Sequence, residues 1–381
     1  KINGRTEVTC PVTVNSSGKL AYVKPSDDMF SDSDNTFIDV PEIPNALSYS
    51  LSLSVARLSN QKRGSNIIFK SPLATIALPD NMLSSMISDN DKKAVITIRQ
   101  ADKEDLSEEF KSFAGDRPII QLSLMLDDQE LEWENPEVPV QITIPYTPTK
   151  EELLNPEFIT IWTQDDAGEL ICITNGKYDI ETGTVTFRTR YFKYFAIGYN
   201  KKDVLDIKEN FWYTDAIKYS IARNILLQSN NHYGPNDELS REELVVMIFK
   251  AYNIAIDDEY NENFNDADNP ETLKYLAKAK SLGISNGIGD NLFNPNSKLT
   301  RQEMFTMTYR LLNVLNEVPE DKFTISLNDF HDSEKVALWA RKAIDTLMKA
   351  GIIKGNENYI YPTDIATKAE FAQLLYNLLN K

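Results

Sequence analysis

The sequence predicts a multidomain α+β protein, an N-terminal antiparallel β-sandwich followed by an all-α region of three repeated helix pairs. Three observations predict it. Up to about residue 200 the apolar residues recur with period two, and after it with period 3.6. In the second half, one stretch with the pattern of a helix start returns three times.

The chain has 381 residues, more than a single core ordinarily spans. "SLSLSV" (51–56), "VQITIPY" (140–146), "FITIWT" (158–163), "LICIT" (170–174), "TVTFRT" (184–189) and "YFAIGY" (194–199) are rich in β-branched and aromatic residues. They read as strands. "DDAGE" (165–169), "TNGKYD" (174–179) and "ETGT" (181–184) separate them as turns. Short strands at such spacing predict a sandwich over 41–200. Short helices are expected at 78–87 and 103–113. Residues 1–40 read as a linker or the start of this domain. The Asp-rich run "KPSDDMFSDSDN" (24–35) has calcium-binding residue types, but a solvated linker is the simpler expectation.

After "YNKKDVLDIKEN" (199–210), helices are expected near 210–227, 240–254, 270–282, 300–316, 333–350 and 367–380. "GPNDELSREELVVMIFKAY" (234–252), "NPNSKLTRQEMFTMTYRLL" (294–312) and "YPTDIATKAEFAQLLYNLL" (361–379) align without gaps. Pro235, Pro295 and Pro362 each lie six residues before Arg241, Arg301 and Lys368. Ser240, Thr300 and Thr367 take the N-cap, and Glu243, Glu303 and Glu370 take N3, which makes a capping box in each copy. An earlier helix precedes each. Gly283 and Gly351 end two of those helices as left-handed caps, and Asn224 takes that place in the first copy. Gln228 stands where the third copy has Gly355. The repeats are bounded at 203–260, 261–325 and 326–381.

A cation at N1 faces the positive end of the helix dipole. One such residue would mean nothing, but Arg241, Arg301 and Lys368 make three. The expected explanation is an anion outside the helix, held by the side chain and nearby amides. On that reading Arg301→Ala weakens ligand binding and leaves stability nearly unchanged, whereas Thr300→Ala mainly lowers stability.

The three units resemble S-layer homology domains. The residues carrying the resemblance are Phe330, Asp332, Trp339, Ala343, Ile344, Gly351, Ile352 and Gly355 in the third copy, with "LSREE", "LTRQE" and "ATKAE" as forms of the family's TRAE-type motif. The resemblance covers about residues 203–381. It implies one pseudo-threefold domain that anchors an extracellular protein to the wall of a bacterium, of the Gram-positive kind. The implied ligand is peptidoglycan-linked secondary cell wall polysaccharide, often pyruvylated, bound in grooves between repeats. Carried over, it places Arg241, Arg301 and Lys368 on carboxylate, Trp212 and Trp339 on sugar, and Asp206, Asp266 and Asp332 on hydroxyls or on the cations. Gly283 and Gly351 would line the same grooves. For the two tryptophans, burial in the core is the equally weighted alternative. The second copy has Glu271 where the third has Trp339, and Lys368 lacks the planar fork of Arg, so unequal grooves are expected. Residues 139–200 look like the β-rich segment that precedes such repeats in clostridial and bacillar surface proteins, as a spacer, assembly module or extra ligand site. Other surface-layer copies are the second implied partner.

Composition narrows the remaining classes. A net charge of −17 opposes binding to nucleic acid or anionic lipid. No apolar run approaches the ~20 residues of a membrane span. Two histidines and two cysteines leave little for a metal site or a His-dependent triad. Cys10 and Cys172 are expected as two separate thiols. No motif singles out a catalytic carboxylate pair, so neither catalysis nor a cofactor is expected; a carbohydrate-active sandwich is the alternative. The polar start "KINGRTEVTC" lacks a signal-peptide pattern and reads as mid-protein sequence, so a mature fragment is expected.

Overall fold

A computed structural model of the chain describes residues 5–30, 35–60, 65–84, 87, 91–226, 230–256, 260 and 262–380. The chain divides into two compact units, Lys1–Asn200 and Lys201–Lys381.

The first unit holds two sheets. One runs Arg5–Val8, Asn35–Asp39, Asn66–Lys70, Thr75–Pro79, Val140–Pro145, Thr184–Thr189 and Lys177–Asp179. The other runs Leu170–Ile173, Ile159–Gln164, Tyr194–Tyr199, Ile119–Leu126, Lys93–Gln100, Ser48–Ser54, Leu20–Val23 and Thr13–Val14, with Gln129–Leu131 folded back on Ile119–Leu126. The sheets are mixed, which corrects the antiparallel expectation. Arg5–Val8, Asn35–Asp39 and Asn66–Lys70 run parallel, as do Leu20–Val23 and Ser48–Ser54. Period-two patterning shows which side chains are buried and carries no strand direction. Parallel neighbours need a long crossover. Between Asn35–Asp39 and Asn66–Lys70 that crossover passes through Ser48–Ser54 of the opposite sheet.

Phe69, Ile76, Ile142 and Phe187 of one sheet and Leu51, Ile96, Leu122 and Phe195 of the other belong to one core. Helix α1 (Glu108–Ala114) covers the second sheet's other face, where Phe110, Trp162, Cys172 and Ala196 form a smaller core. Strands buried on both faces read as continuous apolar runs, which explains "FITIWT" and "YFAIGY". At Gly198 a Cβ would strike the Phe113 ring. Helix α2 (Lys150–Leu154) starts from a Thr149–Glu152 capping box, and the buried Glu152 also accepts from Arg117 and Tyr146.

Residues 5–39 supply strands to both sheets. In the Asp-rich run Asp27–Met29 form a single 3-10 turn, and residues 31–34 lie outside the described residues. The helix expected at 78–87 does not form: the strand continues to Pro79 and turns follow over 80–84, with 85 and 86 outside the described residues. Cys10 is half-buried and Cys172 buried, and no disulfide joins them.

The second unit contains α3 (Thr214–Ala222), α4 (Arg241–Ala251), α5 (Leu273–Ser281), α6 (Arg301–Val314), α7 (Leu338–Lys349) and α8 (Lys368–Leu379). Helix α5 packs on α4, α7 on α6 and α3 on α8. Each first helix therefore leans on the second helix of another pair, and the circle closes. One core joins all six, including Ile217, Ile248, Leu276, Phe305, Ile344 and Phe371. Asn224, Gly283 and Gly351 have φ of 56°, 69° and 72°, the left-handed conformation that ends a helix. At Gly351 the Phe323 ring occupies the space a Cβ would need, whereas Gly283 opens on empty space. Gln228, compared above with Gly355, lies outside the described residues.

Candidate functional site

The three repeated stretches meet at a closed ring of backbone hydrogen bonds. Leu239 N–H donates to Ala366 O at 2.9 Å, Ala366 to Leu299 O at 2.8 Å, and Leu299 to Leu239 O at 3.0 Å. All three residues are fully buried. Each immediately precedes an N-cap, so the ring brings the three helix starts around one pseudo-threefold axis.

Both halves of the capping box form in every copy. The amides of Ser240, Thr300 and Thr367 donate to Glu243, Glu303 and Glu370 at 2.9, 2.8 and 2.9 Å. The N3 amides return to the cap hydroxyls at 3.2, 3.4 and 3.3 Å.

The next two amides are also taken. Arg241 and Glu242 donate to Ser297 O and Pro295 O, Arg301 and Gln302 to Asp364 O and Pro362 O, and Lys368 and Ala369 to Asp237 O and Pro235 O, all at 2.9–3.1 Å. These groups would otherwise be orphaned. Here the loop of the following copy satisfies them, which corrects the expectation that they help hold an outside anion.

The cations have carboxylate partners inside the protein. Arg241 Nη1 faces Glu303 at 3.6 Å, Arg301 Nη1 bonds Glu370, and Lys368 Nζ lies 2.8 Å from Glu243. Each capping-box glutamate thus serves its own helix start and a cation of the preceding copy in the circle. The two arginines also donate Nε–H to Phe293 O and Ile360 O, both at 2.9 Å. Arg241 is buried at 7% exposure. Burial pulls its pKa down, against the nearby charges of Glu303 and Asp266. Burial pushes the Glu243 carboxyl up, but the Lys368 ammonium and the Ser240 amide outweigh it and hold the group below its ordinary value.

The three aspartates hold the loops before the prolines. Asp206 accepts the amides of Tyr233 and Gly234 at 3.0 and 2.7 Å. Asp266 accepts those of Phe293 and Asn294 at 2.8 and 2.7 Å, and Asp332 those of Ile360 and Tyr361 at 2.9 and 2.7 Å. Burial raises the Asp206 pKa less than these amides lower it, so the carboxyl stays ionised to lower pH than usual. The second amide of each pair belongs to a residue with positive φ: Gly234 at 73°, Asn294 at 57° and Tyr361 at 55°. Gly and Asn suit that conformation, whereas a tyrosine there costs about 1–2 kcal/mol.

A groove of about 900 Å³ opens beside this ring, lined by Trp212, Arg301, Phe305, Tyr361, Glu370 and Asn377 among others. It draws on all three copies. Trp212 and Trp339 are 57% and 52% exposed, so neither is a core residue. Glu271 is exposed at the corresponding place in the second copy. Tyr361 was missed from the sequence. Its signal was present, since Gly, Asn and Tyr alternate at the residue before each repeated proline. No helix among the described residues is long and apolar enough to cross a membrane.

This circle of capped helices with a groove between copies is a repeat-built helical domain. Residues 263–305 and 329–372, the second and third copies, match the S-layer homology domain family. The chain is 32% identical over 209 residues to an amylopullulanase of Thermoanaerobacterium thermosulfurigenes, covering 54% of this chain and 11% of that protein. It is 33% identical over 189 residues to exoglucanase XynX of Acetivibrio thermocellus, covering 48% and 17%. S-layer protein sap of Bacillus anthracis shares 26% identity over 206 residues, covering 53% and 24%. The chain thus spans between about a tenth and a quarter of these relatives' lengths.

Proposed function

We propose that residues 203–381 form one three-copy S-layer homology anchor, the first copy included, which holds its protein non-covalently on a bacterial cell wall. The first copy keeps the geometry of the matched ones: the capping box, the aspartate on two loop amides and the basic residue paired across the ring. Its ligand is wall-linked secondary polysaccharide carrying an anionic substituent such as a pyruvate ketal. The observation that carries this reading is the groove that exposed Trp212 and half-buried Arg301 line together. An indole offers a face to sugar C–H groups, and a guanidinium offers charge to a carboxylate. Several such grooves on one polymer gain from effective concentration. The action is binding without catalysis, at the surface of a Gram-positive cell, with the two-sheet unit serving as a sandwich-type spacer or lattice module.

Sedimentation with purified cell wall, intact or stripped of its polysaccharide by acid, tests the reading. Trp212→Ala is the informative variant, because its exposure separates binding from folding. Loss of wall retention at unchanged thermal midpoint is expected. Equal retention by Trp212→Ala and wild type, or equal retention on stripped wall, overturns it.

A second reading places carbohydrate binding in the β unit. A cleft of about 490 Å³ there is lined by Asp27, Phe30, Arg57 and Asp80, and two of the relatives carry glycoside-hydrolase names.

A further inference from the structure

We propose that the third copy carries an added saccharide subsite, a three-ring platform of Tyr361, Tyr359 and His331 that continues the Trp212–Arg301 groove. The proposal rests on the anchoring reading and specifies how far along the polymer the groove extends.

Three observations carry it. First, Tyr361 lines the groove and is 37% exposed. It stacks on Tyr359 at 5.6 Å between centroids with planes 29° apart, and Tyr359 meets His331 at 5.2 Å. The three rings therefore form one cluster that reaches the groove through Tyr361. Second, all three are exposed, although aromatic rings usually contribute to cores. Third, the backbone is against Tyr361. The loop requires positive φ at that position, and the other copies meet the requirement with Gly234 and Asn294. A bulky residue held in such a conformation points to a use for its side chain.

The platform is peculiar to the third copy. Each copy passes through a left-handed pair at the same place, Asn230–Asn231, Asp290–Asn291 and Glu357–Asn358. The positions of His331, Tyr359 and Tyr361 are filled by Leu205, His232 and Gly234 in the first copy. In the second they are Asn265, Leu292 and Asn294. Only the third presents rings at all three. None of the three rings brings a formal anion or a fixed cation, so the matching ligand is a neutral pyranose next to the charged residue in the groove. Its C–H face would lie on the rings and its hydroxyls would remain in water.

Polysaccharide released by acid from purified Gram-positive wall, separated into disaccharide and longer fragments, is titrated against the full chain by calorimetry. Tyr359→Leu removes a ring that does not line the groove and places there the residue type the second copy carries as Leu292, so its thermal midpoint is expected to stay. Its affinity for the longer fragments is expected to fall about tenfold, as for withdrawal of one apolar ring face, with disaccharide affinity unchanged. Wild-type affinity for long fragments in Tyr359→Leu overturns the platform and leaves the anchoring reading standing, provided Trp212→Ala still abolishes binding. Equal loss on both fragments also overturns it, placing the Tyr359 ring at the groove's own subsite. If wild-type protein binds neither fragment, the anchoring reading falls and the platform with it.

Discussion

Lys368 Nζ lies 2.8 Å from a carboxylate oxygen of Glu243, and this contact closes the circle between the last repeated helix and the first. The Lys368 amide also donates to Asp237 O, and Tyr233 Oη–H donates to Lys368 O at 2.7 Å. The side chains of the ion pair are 18% and 24% exposed, so solvent screens it only in part. Lys368→Ala is expected to destabilise the helical unit by roughly 1–2 kcal/mol, with a coupling of similar size in a double-mutant cycle with Glu243→Gln. Urea unfolding of the full chain reads both quantities. Additive single effects would show that the pair does not hold the circle.

The same geometry revises what Arg301 does. Its Nε–H satisfies Ile360 O and its guanidinium faces Glu370. Alanine would strand both partners in a half-buried place. Arg301→Ala is therefore expected to lower stability by about 2–3 kcal/mol, more than the ~1 kcal/mol for loss of the Thr300 cap. Thermal melts of the two variants decide the order. A near-native melt for Arg301→Ala would show that Ile360 O and Glu370 do not depend on it.

Much of this was legible in the sequence. The capping boxes were, because a cap is a local arrangement fixed by residues three apart. So were the left-handed ends at Gly283, Gly351 and Asn224. The partners of the three cations were not legible, because Glu303, Glu370 and Glu243 already had a complete local explanation. Their second oxygens are used across the ring, which no spacing reports. Strand direction was lost for a related reason, since Ser48–Ser54 lies in one sheet yet connects parallel strands of the other. The strands Lys93–Gln100 and Ile119–Leu126 were passed over although they alternate apolar and polar residues.

Acid should loosen both units. Glu243 and Asp206 in the helical unit and Glu152 in the β unit all have pKa values below their ordinary ones when folded. In each, burial raises the value and hydrogen bonds from amides or from cationic or phenolic side chains outweigh it. The unfolded chain then binds more protons in that range, so stability rises with pH. Their contribution is complete above the unfolded values of about 4. It is lost as pH falls further, through the folded values. Urea midpoints are expected to hold from pH 7 to 5 and to drop below pH 4. Glu243→Gln should flatten that drop in the helical unit, and an unchanged acid limb would remove Glu243 from the account.

Glu271 offers a gain-of-binding test of how the copies differ. It is exposed at the place where the other copies present Trp212 and Trp339. On the anchoring reading a carboxylate there repels an anionic sugar and provides no ring face, so its copy is expected to contribute least to retention on wall polysaccharide. Glu271→Trp removes the repulsion and adds the face, and as a surface change it should alter stability by no more than about 0.5 kcal/mol. Retention on whole wall should rise, by about tenfold if one ring face is gained. The rise should be steeper at low salt, where the removed charge matters most. If Glu271→Trp folds normally and binds no better than wild type, the copies do not differ through this position. Trp339→Ala, made alongside, is expected to lower retention, because Trp339 holds the equivalent exposed place.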